Sequence, residues 1–187
     1  MPVAIHSQNN KDIKNIKDKF ELLDIKSEFV IINDKDKFPA FCTSLILTGP
    51  VLENFTIPIC VNDAIRMKKK ILGVESGLIS IIDSFSNLPV QKNCFEGDNS
   101  SFITLGSKLA TIIGGAGPLK TQYSFNWEIP MNCTPDDFMA SAFNTGNGCI
   151  EAVESKGLNE ILGIIWPIFS SVKYPSGFEN ILSWISE

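Results

Sequence analysis

Few side chains in this sequence can do chemistry, and their types narrow what that chemistry could be. His6 is the only histidine in 187 residues. A histidine-based triad or a multi-histidine metal site is therefore excluded, and a cysteine nucleophile has no histidine base unless His6 folds into its site. Five cysteines, Cys42, Cys60, Cys94, Cys133 and Cys149, are scattered with no Cys-x-x-Cys pair, and read as reduced, mostly buried thiols. Two carboxylates stand out as candidate catalytic groups. Glu75 lies between Gly73 and Gly77 at what reads as a strand entrance, and Glu128 lies on the polar face of an aromatic strand. Either could serve as a general acid or base if buried; the plain alternative is an exposed glutamate.

The stretch KLATIIGGAGPLKTQYSFNWEI, residues 108–129, raises a second chemistry. Glycine-rich loops ending in Gly-Lys-Ser/Thr cradle phosphates. Here Gly114 is followed by Gly115, Ala116, Gly117 and Pro118, but Leu119 stands where the glycine before Lys120 and Thr121 belongs. Pro118 also removes a backbone N–H from the cradle. The stretch instead reads as two antiparallel strands, 108–113 and 121–129, joined by a glycine turn that binds no nucleotide.

The elements that must position these residues follow from periodicity. Residues 9–28 carry five lysines against five acids, with Ile13, Ile16, Phe20 and Leu23 at helical spacing, which predicts a helix docked by one apolar stripe. From 29 to 129 the pattern is β: 29–32, 39–50, 78–82, 101–105, 108–113 and 121–129 read as strands. In the last of these Thr121, Tyr123, Phe125, Trp127 and Ile129 share one face. After Pro130 the pattern turns helical, with Thr134 as N-cap, Pro135 in the first turn and an end near Gly146. Residues 158–169 read as a buried segment that Pro167 kinks or stops. Ser176 and Glu179 form a capping box ahead of Phe178, Ile181, Leu182 and Ile185. The expectation is a single domain over 1–187, a β body of about 29–129 with a helical tail of about 134–187.

Composition limits the partners. A net charge of −5 and a single arginine, Arg66, disfavour nucleic acid and other polyanions. The acids concentrate late: residues 121–187 hold eight acids against Lys156 and Lys173. No apolar run approaches a membrane span and the start is too polar for a signal peptide, so a cytoplasmic protein is expected.

Three segments, in order, resemble the allene oxide cyclase barrel, a small β-barrel shared in outline with dirigent proteins. They are FVIINDKDKFPAF (29–41), KILGVESGLISII (70–82) and KLATIIGGAGPLKTQYSFNWEI (108–129). The resemblance implies a mainly β fold, an antiparallel β-barrel with flanking N- and C-terminal α-helices. It also implies an apolar pocket for a small lipophilic molecule, with Asn33 and Pro39 matching pocket positions and Tyr123, Phe125 and Trp127 lining it. The family's catalytic glutamate and cysteine correspond here to Ile31 and Ile79. A cofactor-free cyclase or isomerase acting on a fatty-acid-derived, polyene or terpenoid-like substrate is the leading expectation, working by orientation. The alternatives are a lipophilic-ligand carrier and a structural protein with a filled barrel. A homo-oligomer is compatible with all three.

Overall fold

Apolar runs bounded by turns build one sheet from two kinds of strand. The computed structural model describes residues 1–7, 9–49, 57–85, 91–157, 159–170 and 174–187, and within 91–99 and 122–126 the backbone alone. Its strands are β1 (Pro2–Ser7), β2 (Glu28–Ile32), β3 (Ser44–Thr48), β4 (Lys70–Val74), β5 (Gln91–Ile103), β6 (Gly117–Glu128), β7 (Phe138–Asn144), β8 (Ile150–Ser155) and β9 (Ile161–Ile164). Among the described residues the order is β2-β1-β3-β4-β9-β8-β7-β5-β6. The pairings from β2 to β9 are parallel, and those from β9 to β6 are antiparallel.

The parallel half is covered on its faces, so its central strands are near-continuous apolar runs rather than alternating ones. β3 and β9 are buried along their whole length, and β4 is buried from Ile71 to Val74. The helices are α1 (Asn10–Leu22), α2 (Ile59–Arg66), α3 (Ser76–Phe85), α4 (Lys108–Ile113) and α5 (Asn180–Ser186). α1 packs on β1, α2 on β3 and β4, α3 on β3, β4 and β9, and α5 on β3, β4 and α4. The Asn9 side chain caps α1 by accepting from the Lys11 amide, and Ile16 and Phe20 bury its apolar stripe.

This architecture corrects the expected antiparallel barrel. The sheet is open, with β2 and β6 as its edges, and half of it is parallel. Two apolar runs expected as strands are helices. Residues 78–82 lie in α3, and 108–113 form α4, capped by Ser107, whose hydroxyl accepts from the Ala110 amide at 3.0 Å. Glu154, buried on β8, reaches the same helix start and accepts from the Lys108 and Leu109 amides at 2.7 and 2.9 Å. Gly114 then ends α4 in the left-handed region at φ 77°, so the glycine turn joins a helix to β6 rather than two strands. The tail is corrected as well. Thr134 and Pro135 open a turn closed by the Phe138 amide on the Pro135 carbonyl, and β7, β8 and β9 occupy most of 138–164. α5 begins at Asn180 with no side-chain cap, and Glu179 accepts from the Gly177 amide instead. Phe178, Ile181, Leu182 and Ile185 are buried as one docking face. Among the described residues no helix is long and apolar enough to cross a membrane.

Candidate functional site at the turn between β4 and α3

Gly73-Val74-Glu75-Ser76-Gly77 runs from the last residues of β4 into α3 with no loop between them. Glu75, at the apex, is in the left-handed region at φ 55°. Such a conformation costs a non-glycine residue about 1 kcal/mol or more, and it persists only where its surroundings hold it. The two glycines explain how. A Cβ on Gly73 would run into the Gly77 carbonyl, and one on Gly77 would run into the Leu47 carbonyl of β3. Close approach of α3 to the sheet therefore requires both. The Glu75 amide donates to the Ile164 carbonyl at the end of β9 (2.9 Å), and the Leu78 amide donates back to the Glu75 carbonyl (3.0 Å). This strand–turn–helix geometry is the one that presents a nucleophile in Gly-x-Ser-x-Gly elbows. It also lies at the carboxyl ends of parallel strands, where open α/β sheets bind ligands.

The residue presented here is a carboxylate. Among the described residues the Glu75 side chain has no hydrogen-bond or ion-pair partner. Burial, and secondarily the charge of Asp12 in the first turn of α1, push its pKa up from 4.5 to about 7. Asp12 is itself raised, first by burial, against the lowering pull of the Ser7 hydroxyl and Lys11. Ser7 ends β1 and donates to Asp12 at 3.4 Å. From the C-terminal segment comes Tyr174, whose phenol is pushed up by burial and then by the Glu75 charge. Ser170 pulls it weakly the other way, yet no hydrogen bond of good geometry satisfies the buried hydroxyl. The Tyr174 ring stacks on Phe178 at 5.5 Å, and Trp166 packs edge-on against the same Phe178 ring at 5.4 Å.

The remaining ingredients of nucleophilic catalysis are elsewhere. His6 is level with Leu47 on β3, which is level with Gly73 on β4, placing its backbone two strands, or about 10 Å, from the elbow. Its Nε2 meets Asp34 Oδ1 at 2.7 Å, beyond β2 and thus away from Glu75. Cys60 is fully buried in the first turn of α2, and its thiol is pushed up to about 12 by burial and then by Asp34, Asp63 and Asp36. Cys42, Cys133 and Cys149 are raised by burial first. Thiolate nucleophiles need the opposite environment. The amide after the apex, Ser76, which in elbow enzymes helps bind an oxyanion, donates to the Gly49 carbonyl at 3.4 Å.

Among the described residues, those expected to form one pocket do not meet. Glu75 is at the elbow. Glu128 ends β6 at the far edge of the sheet, where its Oε1 accepts from Asn147 at 3.1 Å. Trp127 is partly buried against the core on the same strand, and the side chains of Tyr123 and Phe125 lie outside the described residues. Asn33 is exposed after β2 at the opposite edge, bonded to Asp36, with Pro39 in the loop that follows. A cavity of about 810 Å³ opens at the amino ends of β1 and β2, away from Glu75, with Lys17, Glu21, Asp24, Lys26 and Glu28 in its wall. That wall is too charged for a lipophilic pocket. Sequence reasoning singles out Glu75 but misses Asp12 and Tyr174, which no local pattern connects to it. The pair of glycines two residues either side of Glu75 is the available signal for the elbow.

No protein-family model matches the chain, and no curated protein matches it. Solved structures do. A GMP synthase component from Thermoplasma acidophilum aligns with TM-score 0.77 at 14% identity, over 100% of this chain and 92% of that one. The glutaminase domain of Trypanosoma brucei CTPS, solved with bound acivicin, aligns with TM-score 0.68 at 12% identity, over 100% and 93%. PurLQS from Thermotoga maritima aligns with TM-score 0.66 at 12% identity, over 98% of each chain. The fold these neighbours share with the chain is that of glutamine amidotransferases and glutaminases. They overturn the resemblance to the allene oxide cyclase barrel, and with it the expected cyclase or isomerase function and lipophilic partner.

Proposed function

We propose that this protein is a binding protein built on the glutaminase-like fold, one that holds a small polar ligand at the β4–α3 elbow without hydrolysing glutamine. The observation that carries this reading is Glu75 at the apex of the elbow. Amide hydrolysis through a covalent intermediate needs an activated nucleophile, a base within hydrogen-bond reach and donors for the oxyanion. The apex here is neither thiol nor hydroxyl, the single histidine is committed to Asp34, and the Ser76 amide is engaged by Gly49. What remains is a strained, largely buried carboxyl, which suits recognition. The fold neighbours support the location of the site, and their glutaminase chemistry is not supported by these residues.

The test is ammonia release. Incubated with L-glutamine, the purified protein is expected to release none above the uncatalysed background. The Glu75→Cys variant is expected to stay inactive, because a thiol there still has no histidine. Ammonia release by the natural protein that Glu75→Gln abolishes would refute the reading and identify Glu75 as a carboxylate nucleophile or base.

A further inference from the structure

The cavity at the amino ends of β1 and β2 lies at the opposite end of the parallel strands from the elbow. Its volume, about 810 Å³, is within the range of small-molecule sites. The end of α1, the turn after it and the first residues of β2 build most of its wall. The apolar part is the edge-to-face pair of Phe20 and Phe29, with ring centroids 5.1 Å apart. The polar part carries both signs, Lys17 and Lys26 against Glu21, Asp24 and Glu28. Among the described residues none of these five side chains makes an ion pair or a hydrogen bond; the ion pairs lie at His6–Asp34, Asp63–Arg66 and Lys70–Glu160. Two further features set this wall apart from a solvated face. The Ser27 hydroxyl is buried, lines the cavity and has no hydrogen-bond partner among the described residues, and a buried polar group left unpaired asks for an explanation. Asp24 stands in the left-handed region at φ 53°, where the Ile25 amide reaches back to the Phe20 carbonyl at 2.9 Å and closes α1. Glycine is the usual residue at such a helix end, so aspartate keeps a carboxylate on the cavity wall against a backbone cost.

We propose that this cavity is a second binding site, independent of the elbow, for a dipeptide-sized zwitterion with a free ammonium, a free carboxylate and one large apolar side chain. The acids of the wall take the ammonium and its two lysines take the carboxylate, through charge-assisted hydrogen bonds. The Ser27 hydroxyl bonds the peptide group, and the apolar side chain lies on Phe20 and Phe29. A ligand of one charge fits half of the wall. An anion meets three carboxylates of its own sign, and a simple amine leaves both lysines unmatched. A purely apolar molecule strips water from charges and a hydroxyl that it cannot pair.

Titration calorimetry on the intact chain with alanyl-phenylalanine tests this, against its N-acetyl form, its C-terminal amide and diglycine. The free dipeptide is expected to bind, and to bind more weakly as salt rises. Each blocked form is expected to bind about tenfold or more weakly, the scale of one charge-assisted hydrogen bond. Diglycine, without the ring, is expected to lose affinity as well. Asp24→Gly removes a carboxylate where glycine suits the backbone, so it should resist urea at least as well as the natural protein while binding the dipeptide more weakly. Lys26→Met should weaken binding too. Backbone amide shifts on titration are expected at residues 20–29 and not at 73–77. No binding at millimolar dipeptide, a blocked form that binds as tightly as the free one, or shifts centred on 73–77 would overturn the inference. Binding unaltered in both variants, with urea unfolding showing both to be folded, would overturn it too.

Discussion

Replacing Glu75 by glutamine keeps the side-chain length and the left-handed backbone and removes only the ionisable group, so its effect should depend on pH alone. The carboxyl titrates at 4.5 when unperturbed and at about 7 in the folded protein. A raised carboxyl binds its proton more tightly when folded, so the unfolded chain ionises first and stability falls as pH climbs from 4.5 to about 7. Each pH unit of separation is worth about 1.4 kcal/mol, so holding Glu75 ionised above pH 7 costs the folded state about 3 kcal/mol. Glu75→Gln should match the natural protein near pH 4.5 and exceed it by about 2–3 kcal/mol at pH 8, the lower figure allowing for residual solvent around the group. Urea unfolding at half-unit pH steps, fitted for both proteins with equal slopes, measures the difference directly. Asp12 and Asp83, also raised by burial, titrate in both proteins and largely cancel. Stability curves that run parallel from pH 5 to 8 would show that Glu75 is solvated like a surface glutamate, and the desolvated-carboxyl argument would fail.

Three further outcomes follow from the same geometry. Gly77→Ala drives a methyl into the Leu47 carbonyl, backbone that cannot swing aside, and should cost about 3 kcal/mol or leave the chain insoluble; thermal unfolding within about 1 °C of the natural protein would count against the elbow packing. Glu154→Ala strips the acceptor from the Lys108 and Leu109 amides and should cost about 2 kcal/mol, read as a lowered urea midpoint and faster amide exchange at α4. Phe178→Ala empties the space between Trp166 and Tyr174 and should cost about 3–5 kcal/mol, with a shift in tryptophan emission as Trp166 meets water.

How much of this is legible in the chain depends on how local each cause is. α1 is readable because its cap, its stripe and its charge balance sit within twenty consecutive residues. The docking face of α5 is readable for the same reason, although its expected Ser176 cap is not formed. The runs at 78–82 and 108–113 mislead because five or six apolar residues fit a buried strand and a buried helix equally well. The deciding signals lie just outside them. Ser107 and Gly114 bracket α4 as N-cap and left-handed C-cap, and Glu154, some forty-five residues away, completes the helix start. The parallel half of the sheet is hidden by its own burial. β1, β3, β4 and β9 alternate too little to show a face, and their register is set by helices that cross between them.

The candidate site shows the same division more sharply. Two flanking glycines flag Glu75, but glycines near a strand equally suit a bulge, a turn or a strand entrance. Their actual cause is three-dimensional. Each is required because a carbonyl, of Gly77 in one case and Leu47 in the other, stands where a Cβ would go, and Leu47 lies on a neighbouring strand thirty residues earlier. The related groups are more distant still: Asp12, whose charge raises the carboxyl, is sixty-three residues before it, and Tyr174, which the carboxyl raises, is ninety-nine after. A fold whose parallel strands all end on one side gathers such residues at a single edge without leaving any spacing rule in the chain. What supports a functional role for Glu75, as proposed above, over that of a tolerated surface acid is therefore the conjunction of left-handed backbone, burial and missing partners. The first is a cost to stability and the second adds to it above pH 7, so the natural residue is not the one that stability alone would select at this position. Glycine would relieve the backbone and glutamine the charge. Keeping glutamate there despite both costs is what the proposed binding role requires.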